Sequence, residues 1–233
     1  MPESHKWHME KKTLIKIIKC LNKLYPVKIR RERPFEILIH GMLSHRTKDE
    51  TTFPAQARLL KVANTPGKMM KLSRKEIQKL IYPVGFYKQK SKNILKSCKI
   101  LIEKFNGKVP QTKEELMQLP GVGPKTASLV LVWGFNIPTI PVDVHVNRIS
   151  QRLGIVPQEN KPEKTQQVLE NLIPDNLKEQ KIIVNRVFVE FGKDVCRPVS
   201  PQCYRCPIYD FCKYEKKEFY KSQSKNSSHI FSL

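Results

Sequence analysis

The chain lacks any run approaching the ~18 uninterrupted apolar residues that a membrane-crossing helix needs, so it is not expected to span a bilayer. Its opening stretch, MPESHKWHMEKK, holds no apolar segment, which argues against export through a signal peptide. Strict alternation of apolar and polar residues is almost absent, and with it the pattern of a half-buried strand. There is no internal repeat and no central low-complexity linker. Acidic residues are scarce: 21 Asp and Glu face 43 Lys and Arg, a formal charge of +22 over 233 residues. A chain so basic repels itself unless it meets a polyanion, so nucleic acid or an anionic membrane surface heads the partners.

Helical periodicity is what the chain does have. Leu14, Ile17, Ile18, Leu21 and Leu24 share one stripe, and Phe35, Leu38, Met42 and Leu43 form another just after Pro34. In the segment from Tyr87 to Phe105, Ile94, Leu95, Cys98, Leu101, Ile102 and Phe105 share an apolar face. Lys88, Lys92, Lys96 and Lys99 fall in an adjacent sector of about 80°, placed to be solvated or to meet nucleic acid. Further helices are predicted around 49–62, 73–82, 112–118, 124–135, 144–153, 163–173 and 178–191. The reading is an all-α protein of many short helices, long enough for one large domain or two small ones. Residues 213–233 carry no apolar period and are rich in Lys and Ser, the signature of a basic, flexible tail.

Four of the six cysteines crowd together: Cys196, Cys203, Cys206 and Cys212 give the spacing C-x6-C-x2-C-x5-C. In a reducing compartment such a cluster points to metal rather than to disulfides. Four thiolates suit tetrahedral zinc. Zinc ribbons usually pair two C-x2-C knuckles, however, and a four-iron cubane accepts longer, irregular spacings. Zinc and iron–sulfur remain equal on spacing. Cys20 and Cys98, on apolar stripes, read as ordinary buried thiols.

The segment Leu119-Pro120-Gly121-Val122-Gly123-Pro124-Lys125-Thr126-Ala127 joins two helical patterns by a tight turn. Gly121 and Gly123 are expected to take backbone angles that other residues resist, leaving amides uncovered as a nest for a phosphate oxygen. Pro124 suits a first helical position. Lys125 then stands at the positive end of a helix dipole, which favours the neutral, nucleophilic amine that forms a Schiff base. Simple phosphate binding is the alternative role for Lys125. Downstream, Pro138-Thr139-Ile140-Pro141-Val142-Asp143-Val144-His145 leads stiffly into another helix, with Asp143 as its N-cap. A carboxylate fixed through one oxygen can also shuttle a proton or stabilise charge on a sugar.

Together these residues resemble the endonuclease III family of DNA glycosylases, within the helix–hairpin–helix superfamily. The resemblance runs from Pro34 to Cys212, roughly three quarters of the chain. It rests on Phe35-Glu36-Ile37-Leu38-Ile39, Leu43-Ser44, Asp49, Val84-Gly85-Phe86-Tyr87, the hairpin from Leu119 to Ala127, Val142-Asp143, and Phe191-Gly192 before the cysteines. Ser44-His45-Arg46-Thr47 and the segment from Val142 to Arg148 read more like archaeal than bacterial members.

The resemblance implies two helical domains: a six-helix domain with the hairpin over 27–137, and a cluster domain from 1–26 plus 138–212. A DNA groove would lie between them. It implies a [4Fe–4S] cluster on Cys196, Cys203, Cys206 and Cys212, ordering a basic loop with Arg197 and Arg205 against phosphates. It implies Lys125 as nucleophile at C1′, Asp143 as its carboxylate partner, and Gly121 and Gly123 as phosphate contacts. The substrate would be double-stranded DNA with damaged pyrimidines or abasic sites, bound by a monomer in the cytoplasm or nucleoid, or in a eukaryotic nucleus. Damage helps, because a weakly paired base costs less to extrude.

Two positions depart from the family pattern. Arg46 stands where bacterial relatives usually place a gap-filling Gln, and Phe86 replaces an aliphatic wedge; both still suit the intrahelical task. Two other readings compete: a monofunctional mismatch (T/G) or oxidised-purine glycosylase of the same superfamily, and a non-catalytic, cluster-bearing DNA-binding protein.

Overall fold

The computed structural model describes residues 9–227. The first eight residues of the N-terminal stretch and residues 228–233 of the expected tail lie outside them. Among the described residues there are helices and loops but no strand, as the missing alternation requires. In chain order the α-helices are α1 (Lys11–Leu24), α2 (Pro34–Ser44), α3 (Asp49–Val62), α4 (Pro66–Met69), α5 (Arg74–Ile81) and α6 (Tyr87–Phe105). They continue as α7 (Lys113–Met117), α8 (Pro124–Leu129), α9 (Val144–Arg152), α10 (Pro162–Leu172), α11 (Lys178–Asp194) and α12 (Lys217–Ser227). The described residues divide into two compact units, one spanning Arg30–Pro141, the other joining those up to Ile29 to those from Val142 onward.

Local chemistry sets the helix boundaries in the 30–141 unit. Pro34, Pro66 and Pro124 occupy first helical positions, where a missing N–H costs nothing. Ser73 and Glu76 form a reciprocal capping box on α5, with Oγ accepting from Glu76 N at 3.2 Å and Oε2 accepting from Ser73 N at 2.7 Å. At the far end of α6, Asn106 turns left-handed (φ 51°) and Gly107 N–H bonds Leu101 O at 2.8 Å, a Schellman closure. The pattern read over 124–135 does not stay α-helical. It passes into a π-helical turn, Val130–Gly134, all of whose residues are buried.

The apolar face read on α6 is shifted by the structure. Ile94, Cys98 and Leu101 are buried, but Ile102 is 40% exposed, and Lys90, Ser91 and Ser97 are buried instead. Hydroxyls explain part of this, since Ser91 Oγ bonds Lys88 O at 2.9 Å and Ser97 Oγ bonds Pro120 O at 3.0 Å. The second bond ties the helix to the glycine turn. Lys88, Lys92, Lys96 and Lys99 are all exposed.

In the other unit α1 packs on α11, and α11 on α9. Leu14, Ile17, Ile18 and Leu21 are fully buried, each contributing on the order of 2 kcal/mol by removal from water. Leu24 belongs to the same stripe but lies in the last turn and is exposed. The loose tail is corrected over Lys217–Ser227, which is helical. Aromatic contacts substitute there for the missing apolar period: Tyr214 and Tyr220 stack at 6.4 Å, and Lys217 and Lys221 stand 4.6 and 4.3 Å from the Tyr209 ring.

Candidate functional site

The glycine turn sits between α7 and α8. Val122 N–H bonds Leu119 O at 3.0 Å, and Ala127 N–H bonds Gly123 O at 2.9 Å where α8 begins. Gly121 needs to be glycine twice over: its φ is +86°, and an added Cβ would meet Asn93 Nδ2 at 2.8 Å. Gly123 departs from expectation, because its φ of −103° is open to any residue. An added Cβ there would meet nothing within 4 Å. What Gly123 keeps clear is space in front of the helix start, not a backbone angle. Lys125 is exposed on the first turn of α8.

Beside this turn, a cavity of about 230 Å³ is lined by Arg46, Phe86 and Gly121, with His45, Lys90 and Asn93 among the residues between them. Arg46 and Phe86 both hold left-handed backbones, φ 52° and 57°, a strain of about 1–3 kcal/mol each for residues with a Cβ. They face one another, the guanidinium carbon 6.0 Å from the ring centroid, and Phe86 is 63% exposed. Their two loops touch: a Cβ on Gly85 would stand 2.9 Å from Arg46 O. His45 is held below its usual imidazole value by burial, then by the nearby cations Lys90, Arg46 and Lys125. Positive charge therefore converges on this face with no need of the full +22.

Sequence reasoning missed Lys90, which is only 7% exposed. Its ammonium donates to Leu43 O at 2.6 Å, His45 O at 2.6 Å and Thr47 Oγ1 at 3.0 Å. Burial pushes its pKa down to about 8. Its neighbours Lys88 and Lys92 hid it among solvated lysines.

Asp143, in the other unit, caps α9 as its position suggested. Its Oδ1 accepts from His145 N at 2.9 Å and Val146 N at 3.0 Å.

The four clustered cysteines are half-buried and line one small cavity with Arg152, Tyr209 and Lys217. Arg152 Nη1 donates to Cys196 Sγ at 3.3 Å and to Arg197 O at 2.7 Å. Arg148 holds the Cys196 carbonyl through Nε and Nη2 at 3.1 and 2.9 Å. Burial, reinforced by the neighbouring thiols, pushes Cys203 up to about 11 and Cys206 up to about 12, and raises Cys212. Among the described residues no group of three His, Cys, Asp or Glu is arranged to hold a metal ion. Arg205 is paired with Asp194, which also accepts from Tyr25 Oη at 2.6 Å. Arg197 donates to Asp194 O at 3.0 Å. Arg205 thus meets a carboxylate at the C-terminal end of α11, a partner that the reading from sequence did not include.

An all-helical chain with a glycine turn ahead of a lysine-bearing helix, and cations gathered beside it, defines a helix–hairpin–helix protein. Residues 39–175 match the family described as HhH-GPD superfamily base excision DNA repair protein. The chain is 40% identical over 203 residues to endonuclease III of Thermotoga maritima, covering 87% of this chain and 91% of that one. With endonuclease III of Escherichia coli K12 the identity is 39% over 184 residues, or 79% and 85% of the two chains. A solved structure of a trapped endonuclease III–DNA covalent intermediate, in an estranged-adenine complex, matches with a TM-score of 0.82 at 34% identity. That match covers 91% of this chain and 99% of the other. The chain belongs to the endonuclease III family.

Proposed function

We infer that this chain is a bifunctional DNA glycosylase and abasic-site lyase of base excision repair, acting on duplex DNA. The observation that carries the reading is Lys125, exposed on the first turn of α8 directly behind the turn, in a chain of this family. Lys125 Nζ attacks C1′ of the damaged nucleotide as the N-glycosidic bond breaks and the base leaves. The sugar ring opens, the amine loses its protons, and an imine links protein to DNA. Loss of a proton from C2′ then expels the 3′ phosphate by β-elimination, and water releases the lysine. Asp143 offsets positive charge at C1′ and takes a proton from the amine. Damaged pyrimidines are the proposed substrates, with Arg46 filling the gap left by the extruded base and Phe86 wedging beside it. Gly121, Gly123, Arg197 and Arg205 are proposed as phosphate contacts, and Arg205 reaches DNA only by sharing itself with Asp194. Membership of the endonuclease III family does not favour the monofunctional and non-catalytic readings.

The test is sodium borohydride trapping on duplex DNA carrying one thymine glycol. Wild-type protein is expected to become covalently attached, and Lys125→Gln to bind duplex without attachment or nicking. Undiminished nicking by purified Lys125→Gln overturns the assignment.

The proposed cofactor is a [4Fe–4S] cluster on Cys196, Cys203, Cys206 and Cys212. The donor set fits, being four sulfurs on one cavity wall with an arginine hydrogen bond to one of them. The cluster supplies cross-linking of the loop from Cys196 to Cys212. Cys206→Ser is expected to abolish the brown absorbance near ~400 nm of anaerobically prepared protein; a colourless, zinc-containing wild type rejects the cluster.

A further inference from the structure

Resting on that reading, we propose that Lys90 is a positioning residue: it locks the loop carrying Arg46 to the helix start carrying Phe86, so that the two side chains enter the duplex as one tool. Three features place it there. First, its three acceptors, Leu43 O, His45 O and Thr47 Oγ1, all belong to the end of α2 and the loop behind it, flanking Arg46 on both sides. Second, Lys90 lies one turn into α6, and its own N–H bonds Phe86 O at 2.9 Å. One residue therefore touches both halves of the pair. Third, the ammonium has exactly as many N–H bonds as acceptors and no carboxylate partner among the described residues, so its charge is balanced by carbonyl dipoles at a helix C-terminus.

The energetic logic follows from the strain at Arg46 and Phe86. The two left-handed residues sit on separate loops that approach so closely that a Cβ on Gly85 would stand 2.9 Å from Arg46 O, and beyond them only the exposed guanidinium–ring contact joins the pair. The buried ammonium ties the loop geometry together, because losing it takes the donor from Leu43 O and leaves His45 O with only the long 3.4 Å bond from Thr47 Oγ1. Extrusion of a base from duplex needs both side chains at the same moment; attack on an abasic sugar already free of the stack does not. Lys90 thus acts on the extrusion step, through Arg46, and not on imine formation.

The experiment compares borohydride trapping on single-stranded abasic DNA with base excision from duplex, in wild type, Lys90→Met, Arg46→Ala and the double variant. Lys90→Met is expected to trap on single strands within about two-fold of wild type while duplex excision falls about ten-fold or more, a split that isolates positioning. In the Arg46→Ala background the same change is expected to cost less than about two-fold, since coupled residues are not additive. Thr47→Val, which removes one acceptor only, is expected to show the same split in weaker form, and it serves if Lys90→Met does not fold. Parallel loss of both activities, or additive losses with Arg46→Ala, overturns the proposal and leaves Lys90 a helix cap. Wild type that traps on neither substrate defeats the enzyme reading itself, a result distinct from either.

Discussion

At Asp143 one side chain has an observed role and a proposed one, and substitution can separate them. Its Oδ1 caps α9 through two backbone amides, and the proposed chemistry needs the carboxylate charge. Asn caps nearly as well as Asp, whereas Ala does not, at a cost of about 1 kcal/mol. Asp143→Ala is therefore expected to lower both the denaturation midpoint and strand nicking. Asp143→Asn is expected to keep the midpoint close to wild type and still lose turnover. Equal destabilisation by the two, with activity following stability, would reduce Asp143 to a cap. The cap was legible in sequence because Ile140-Pro141-Val142-Asp143 announces a helix start locally. Lys90 was not, because its acceptors lie 43 to 47 positions away in the chain. No local pattern distinguishes a lysine that meets carbonyls from one that meets water.

At the scale of elements, the turn before α8 contains two glycines with different reasons to be there. Gly121→Ala is expected to destabilise by about 1–3 kcal/mol, through its positive φ and the close Asn93 amide. Gly123→Ala is expected to leave stability unchanged or raised by about 0.4–1 kcal/mol, since its backbone suits alanine and the added methyl meets open space. It should nevertheless weaken duplex affinity, measured by fluorescence anisotropy, if a phosphate occupies that space. Unaltered affinity would remove Gly123 from the interface. The existence and approximate bounds of helices such as α3 and α5 were legible in the sequence, which predicted them around 49–62 and 73–82. Which face of α6 is buried did not, because Ser91 and Ser97 are buried by hydrogen bonds that hydropathy does not register.

For the whole molecule, the charge of +22 should appear as salt dependence. If about six phosphates are neutralised, affinity for a short undamaged duplex is expected to fall about a thousand-fold between about 50 and 200 mM salt. A shallow slope would mean that most lysines, the exposed row on α6 included, are merely solvated. The amino-acid sequence by itself determined the helical class, the basic partner preference, the cysteine set, and Lys125 and Asp143 as candidates. Each of those is written in local periodicity, composition or spacing. Only the tertiary structure decided that Arg46 and Phe86 face each other, that Lys90 is buried beneath them, that Arg205 is already paired, and that residues 217–227 form a helix on Tyr209. Those outcomes depend on which distant groups arrive within about 3–6 Å, the range over which hydrogen bonds, ion pairs and ring contacts act.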